Sequence, residues 1–407
     1  MKKRIILGVA CAAALATVGV ASPAYAWHHA DENPTPDLAL QPVATLADGL
    51  VSPLSLDVDR RGDAVLSQNF LGELDQVIET DGVGALSTLA TAGTPGLEIG
   101  AVSSRRDIAY YAVNDQAAGV SNLMSLDSDG VPEQLADLGA YEAAENPDQV
   151  NTYGFTDLDP ACAALIDPAG PAGPATYTGI VDVHPYASLA LRDAVYVADA
   201  GGNDILRVDY DGEISTVAVL PPSEPVAITA EAAAAFGLPD CVVGADYAFE
   251  PVPTDVERGS DGWLYVSTLP GGPEDGSLGL RGSVWKVNPD DGDVQLVATG
   301  FAGSTGIAVD RDSGVVLVAE LFGGADGTGQ IAAVSSDTGE VFAVFPVSSP
   351  AAIELRDGQV FATVDAFVPD ETGAPQAIGS LQVFDLVDLS DGDCWGDDGS
   401  HDGDWRD

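Results

Sequence analysis

Four oxygen-bearing side chains stand at comparable places in this chain and raise the first chemical question. Asp199 and Asn203 flank the glycines of "VADAGGND", Asp255 closes "VPTD", and Glu320 ends "VLVAE". Carboxylate and amide oxygens are the hard ligands that Ca²⁺ takes at about 2.3–2.6 Å. A set made of Asp199, Asp255 and Glu320 could polarise a carbonyl and activate water in a metal-assisted hydrolysis. His184 is the single histidine between His29 and His401, so an imidazole general base in the interior would have to be His184. Glu320 is the other candidate catalytic group. Structural readings carry more weight. Asp and Asn after a strand commonly bond the backbone of their own turn, so "DAGGND" reads first as turn chemistry. A histidine beside Pro185 at a strand start reads as a hydrogen-bonded structural residue. Glu320, among apolar neighbours, is the hardest to explain in that way. The chain has no G-x-S-x-G, no paired metal histidines and no Cys–His set, which leaves hydrolase triads little support.

These positions are comparable because the chain repeats. "SPLSLDVDRRGDAVLSQ", "HPYASLALRDAVYVAD", "VPTDVERGSDGWLYVST", "STGIAVDRDSGVVLVAE" and "SPAAIELRDGQVFATV" share one plan, and a degenerate copy starts near Gly96. In each, an alternating apolar run reaches an Asp/Gly turn, a second run leads to a Gly-rich loop, and third and fourth strands follow. Period-two apolarity marks strands, and Asp-Gly turns between such runs mark hairpins. Four antiparallel strands recurring at about 45 residues predict the blades of a propeller. Six copies predict an all-β, six-bladed propeller over residues 38–387, with "LALQPVATLA" supplying the outer strand of the last blade. Alignment on the end of the second strand selects Gln68, Asp199, Thr268 and Glu320. Alignment on the blade opening selects Ser52, His184, Val252, Ser304 and Ser349. Propeller ligands are expected at the mouth of the central channel, so Gln68, His184, Asp199, Asn203, Asp255, Thr268 and Glu320 form the candidate ligand-binding set.

Two copies are enlarged. One insertion covers about residues 139–178, and the other contains "TAEAAAAFGLPDCVVGADYAFEP", where "AEAAAAFG" reads as a short helix. Each carries one cysteine, and a Cys162–Cys241 disulfide is expected, pinning two loops on one face. A third long loop, "LPGGPEDGSLGLRGS", carries Arg281. Arg281 is a candidate contact for a carboxylate or sugar, although neutralising Glu274 and Asp275 is the readier reading.

Charge narrows the partners. The chain has 64 Asp and Glu against 15 Lys and Arg, a formal net charge of −49. Binding nucleic acid or an anionic membrane needs Lys and Arg to neutralise phosphate, so both are excluded as partners. Self-repulsion on this scale is relieved by salt, which predicts a salt-adapted protein. Residues 1–26 read as a secretory signal peptide, with a basic start, an apolar run and Ala24-Tyr25-Ala26 before Trp27. Cleavage there predicts a secreted, monomeric chain beginning Trp27-His28-His29, in a flexible segment over 27–37. Its amino group, two amides and the His29 imidazole would suit planar Cu²⁺ or Ni²⁺. No further apolar stretch is long enough to span a bilayer. Residues 388–407 are too rich in Asp and Gly to pack and read as a disordered acidic tail. Within it, Asp398, Ser400 and Asp402 only echo a calcium loop, and Cys394 is left without an obvious partner.

The words carrying the repeat also occur together elsewhere. "YEAAENPDQVNTYGFTDL", "YTGIVDVHPYA", "VADAGGNDILRV", "FGLPDCVVGADYAFEPVPTDV" and "LYVSTLPGGPEDGSLGLRGSVWKV" resemble the ScyD/ScyE family of secreted bacterial propellers over about residues 40–386. The resemblance implies fold and secretion and carries no catalytic residue across. A looser similarity in blade layout links the chain to NHL-repeat, strictosidine-synthase-like and gluconolactonase-like propellers. The expected function is therefore binding of a small extracellular molecule, a glycan or a protein at one face. The alternative is a Ca²⁺-assisted lactonase or esterase at the channel.

Overall fold

The computed structural model describes residues 37–274 and 276–389. The expected signal peptide, the expected metal site at Trp27–His29, Asp275, Cys394 and the acidic segment beyond Leu389 lie outside the described residues. Those described form seven four-stranded antiparallel sheets. Three short α-helices accompany them: Leu138–Glu145, Pro160–Ala163 and Ala230–Ala235.

Five sheets take their four strands in chain order. The first runs from Leu56 to Thr91, the second from Glu98 to Asp137, the fourth from Pro253 to Phe301 and the fifth from Ser304 to Pro346. The third is built from Pro185–Ala190, Ala194–Asp199, Asp204–Asp209 and Ile214–Val219. The sixth takes Ile353–Arg356, Gln359–Val364 and Ala377–Asp388, then completes itself with Leu38–Val51 from the other end of the chain. Leu38 lies opposite Asp388 and Val51 opposite Ala377, so the first ordered strand covers the edge that the last strand would expose.

The second strands show why the sheets stack. In "AVYVAD", Val195 and Val197 pack with Tyr110 and Leu123 of the second sheet. Ala194, Tyr196 and Ala198 pack with Val256, Leu264 and Val266 of the fourth. Successive side chains point to opposite faces and both faces are covered, so this strand reads as a continuous apolar run rather than the expected alternation. "VVLVAE" behaves alike: Val316 and Val318 meet Tyr265 and Val284, while Leu317 and Ala319 meet Val360 and Ala362. Leu74 packs with Ile99 and Tyr111 between the first and second sheets. Phe361 and Leu381 pack with Leu56 and Leu66 between the sixth and the first. Sheets stacked face to face about a common centre make this a β-propeller.

Small hydroxyl side chains bridge the innermost strands. Ser55 Oγ accepts from the Val102 N–H at 2.7 Å, and Ser188 Oγ donates to the Ala101 carbonyl at 2.6 Å. Thr254 Oγ1 donates to the Ser304 carbonyl at 2.8 Å, and Thr305 Oγ1 to that of Ala351 at 3.0 Å. Arg356 Nε donates to the Val58 carbonyl at 2.7 Å. These bonds satisfy backbone groups that no ladder reaches where the innermost strands converge.

The seventh sheet comes from the two insertions, which the sequence presented as enlarged loops. Thr176–Thr178, Thr152–Phe155, Asp246–Ala248 and Val226–Ala227 pair in that order. Strands of two to four residues are marginal alone. Here they rest on a separate core that includes Phe155, Ile166, Ala233, Val242 and Tyr247, with Phe155 edge-on to Tyr247 at 4.9 Å. The helix Ala230–Ala235 is capped by Thr229, whose side chain accepts from the Ala232 N–H at 3.1 Å. A disulfide joins Cys162 to Cys241, with a Cα separation of 5.9 Å.

Candidate binding site at the arginine-lined end of the channel

The residues aligned at the ends of second strands do share a place, and the place is structural. Gln68 Oε1 accepts from the Val51 N–H at 2.7 Å, Asp199 Oδ1 from that of His184 at 2.7 Å, and Glu320 Oε2 from that of Ala302 at 2.7 Å. In each case the side chain ties the chain segment entering a sheet to the second strand of that sheet. Thr268 Oγ1 donates to the Ser283 carbonyl at 3.3 Å. Asp199 also accepts from Gly201 and Gly202, which is the turn role read from "DAGGND". Asn203 holds a left-handed φ of 55° and accepts from the Val252 N–H at 3.1 Å. Asp255 accepts from Val256 and, across to the next sheet, from Ile307, each at 2.8 Å.

Asp199 Oδ1, both carboxyl oxygens of Asp255 and both of Glu320 already accept hydrogen bonds, from backbone amides and, for Glu320 Oε1, from Gln330, so a Ca²⁺ set of Asp199, Asp255 and Glu320 stays an expectation from sequence. Among the described residues, no three Asp, Glu, His or Cys side chains are gathered as a formed metal site. Burial still pushes these carboxyls up, Asp199 to about 6 and Asp255 to about 8. Arg281 folds back on its own loop, donating Nη1 to the Gly271 carbonyl at 2.9 Å and lying 4.2 Å over the Phe249 ring.

His184 pairs with Glu98, Nε2 to Oε2 at 3.2 Å. Burial alone would lower its pKa, but the Glu98 hydrogen bond and charge, with Asp199 and Asp182 beyond, raise it overall. The imidazole is thus engaged by Glu98, the hydrogen-bonded structural role read for a histidine at a strand start. Its ring lies edge-on to Tyr186, and Tyr186 joins Phe322 and Phe367 against Leu54, Leu321 and Ala351. This apolar cluster occupies the end of the channel where the innermost strands begin.

The end where those strands finish is different. It opens as a funnel of about 2220 Å³, lined by the hairpins that join first to second strands. All six hairpins carry arginine: Arg60 and Arg61, Arg105 and Arg106, Arg192, Arg258, Arg311, and Arg356. Arg60, Arg61, Arg105, Arg106, Arg311 and Arg356 line the funnel itself. Arg356 is locked at its floor, with Nη1 2.8 Å from Glu354 Oε2 and Nη2 3.3 Å from Asp57 Oδ1. Arg61 is paired to Asp59 at 2.8 Å and Asp63 at 3.3 Å. Arg60, Arg105 and Arg106 stand on the rim with no hydrogen bond or ion pair to another described residue.

Carboxylates alternate with these cations. Asp107, Asp310, Asp312 and Asp357 share the rim, and Asp57, Glu257 and Glu354 share the floor. Burial pushes Glu257 up to about 7, with Arg356 pulling the other way. Burial also raises Glu354, again against Arg356. The result is a wide cavity offering guanidinium donors beside carboxylate acceptors.

Sequence reasoning passed over this site, although its signal was present. "DRRGD", "SRRD", "LRD", "ERGSD", "DRDSG" and "LRDG" occupy the same turn of successive repeats. By its Asp or Gly each marks a hairpin, and the recurrence of Arg inside that turn is the signal that singles out the site.

No protein-family model and no curated protein sequence matches this chain. Among solved structures it is similar to the PQQ-bound aldose sugar dehydrogenase of Streptomyces coelicolor, at 13% identity and a TM-score of 0.49, covering 87% of this chain and 100% of the other. It is similar to virginiamycin B lyase from Staphylococcus aureus at 13% identity and a TM-score of 0.44, covering 86% and 100%. It is also similar to the calcium-binding protein regucalcin from Agrobacterium tumefaciens at 13% identity and a TM-score of 0.44, covering 84% and 95%. These likenesses are of overall fold and bring no site residue to this chain.

Proposed function

We propose that this is a secreted six-bladed propeller that binds an acidic glycan in the arginine-lined funnel. The count of six rests on the apolar clusters, which pair the first six sheets in a closed series and leave the seventh on its own core. The repeat wording supports a place in the ScyD/ScyE family, and the N-terminal segment supports secretion. The observation that carries the ligand class is arginine on all six inner hairpins of a chain whose net charge is −49. Guanidinium forks hold carboxylate or sulfate oxygens bidentately, and neighbouring Asp oxygens accept from sugar hydroxyls. A funnel of about 2220 Å³ exceeds the roughly 300–1,000 Å³ of sites for small molecules, which favours an oligosaccharide. The metal-assisted hydrolase reading gains no support from Asp199, Asp255 and Glu320. Isothermal titration with uronate-bearing, sulfated and neutral oligosaccharides tests the proposal. Charged saccharides should bind, neutral ones of equal length should not, and replacing Arg60, Arg105 and Arg106 together by Gln should weaken binding about tenfold or more. Equal binding by that variant, or no charged saccharide bound by the wild type, would overturn it.

A further inference from the structure

Away from the funnel, three buried carboxyl groups meet where the helix Leu138–Glu145 and the Pro147–Val150 turn abut the Asp199–Asp204 hairpin. Glu142 is 3% exposed, Asp148 1% and Asp204 1%. Five oxygens here have no hydrogen-bond partner among the described residues: Glu142 Oε1, Asn146 Oδ1, Asp148 Oδ1 and both carboxyl oxygens of Asp204. A buried carboxyl oxygen without a donor costs more than a surface one, and three such groups side by side repel one another.

The groups are neighbours by several independent measures. A side chain begun at Gly202 would meet Asp204 Oδ1 at 3.4 Å and Glu142 Oε2 at 3.5 Å. Asp148 is brought in by Asn203, whose Nδ2 donates to Asp148 Oδ2 at 2.9 Å. Asn146 Nδ2 donates to the Gly179 carbonyl at 3.2 Å, leaving its own oxygen unmatched. Gly179 is itself required, because a Cβ there would fall 1.8 Å from Asp148 Oδ1. Burial, then the charges of Asp199 and Asp148, raise Glu142 to about 8. Burial, then Asp199, Glu142 and Asp148, raise Asp204 well above the usual range. No arginine or lysine appears among these perturbing charges.

We propose that Glu142, Asn146, Asp148 and Asp204 form a Ca²⁺ site that clamps the inserted segment to the third sheet. The donor set is all oxygen, carboxylate and amide, which is the chemistry Ca²⁺ selects. Mg²⁺ retains several waters and near-octahedral geometry, for which three carboxylates 3% exposed or less leave little room. Because these side chains do not yet converge on one point, binding draws their oxygens inward by side-chain rotation. The site is distinct from the sequence-derived Asp199–Asp255–Glu320 set: Asp199 lies beside it but is engaged by three backbone amides.

The test uses the mature full chain, stripped with chelator and titrated with CaCl₂ in about 1 M NaCl. At that salt the Debye length is roughly 3 Å, which suppresses diffuse cation binding to an acidic surface. The wild type should show one saturable Ca²⁺ event with a rise in Tm, and Mg²⁺ should bind about tenfold more weakly or worse. Glu142→Gln and Asp204→Asn should each lose the event. Each should also melt higher than the calcium-free wild type, because a buried carboxyl that folding forces to take up a proton is gone, so loss of binding cannot be mistaken for loss of folding. Glu371→Gln, which removes one exposed carboxylate and the same unit of charge, should bind as the wild type does. No saturable event in the wild type, retention of it in both site variants, or equal response to Ca²⁺ and Mg²⁺ would overturn the proposal.

Discussion

Replacing Asp255 by Asn should flatten the loss of stability expected as pH rises past the carboxyl's unfolded value. Asp255 accepts from the Val256 and Ile307 amides, yet burial first, and the charge of Glu257 second, push its carboxyl from 3.8 to about 8. Below about pH 4 the group is protonated in both the folded and unfolded chain and contributes no difference. As pH rises past its unfolded value the unfolded chain gives up the proton first, so unfolding gains. The stability is lost progressively up to about pH 8 and then levels off. At 1.36 kcal/mol per pH unit the full displacement would be about 6 kcal/mol. Asp255 is only half-buried, so screening reduces the expected share to about 2–3 kcal/mol. Urea unfolding at about pH 5 and pH 9, in about 1 M NaCl, measures it with general repulsion suppressed. Asn keeps one carbonyl oxygen and faces one amide with a donor, which costs about 1–2 kcal/mol at both pH values. That offset cancels in the slope. Part of that share is lost below about pH 5, so between the two pH values the wild type should lose about 1–2 kcal/mol more than Asp255→Asn. Parallel pH dependence in the two proteins would refute the argument, since Glu142, Glu250 and Glu257 titrate in both.

The disulfide and the surface charge give two further expectations. Cys162 and Cys241 are 79 residues apart, and closing a loop of that size stabilises by up to about 4.5 kcal/mol in the chain-entropy account. Replacing both by Ser should speed amide exchange in residues 152–178 and 226–248 while leaving the six other sheets protected; a uniform increase would contradict a separate core for the inserted sheet. Between about 0.1 and 1 M NaCl the Debye length falls from roughly 10 to 3 Å, so the Tm of a chain with net charge −49 should climb by several degrees. A flat response would remove self-repulsion as a factor.

The sheets were legible because their signals are local. Asp-Gly turns, runs such as "AVYVAD" and the recurring Arg-Val and Trp-Lys-Val third strands repeat closely enough to count. Each needs only its own few residues to form a strand or hairpin. The pairing of Leu38–Val51 with Ala377–Asp388 was also readable, since an unpartnered first strand and an unfinished last sheet imply one another. Equivalence of Gln68, Asp199 and Glu320 followed from the same register, but their chemistry did not. A carboxylate at a strand end looks alike in sequence whether it faces a ligand or a backbone amide. Only the packed chain brings the Val51, His184 and Ala302 amides within 2.7 Å of these side chains. The two sites proposed here depend on distance still more strongly. Arg60, Arg105, Arg311 and Arg356 are tens to hundreds of residues apart and share a funnel only because six hairpins end at one face. Glu142 and Asp148 meet Asp204 across more than fifty residues of intervening chain. Their unmatched oxygens lack protein donors because the burial that removes them from the surface brings no Arg, Lys or amide to face them. Strand formation is a property of neighbours along the chain, whereas desolvation and charge proximity are properties of the closed structure, and function here rests on the second kind.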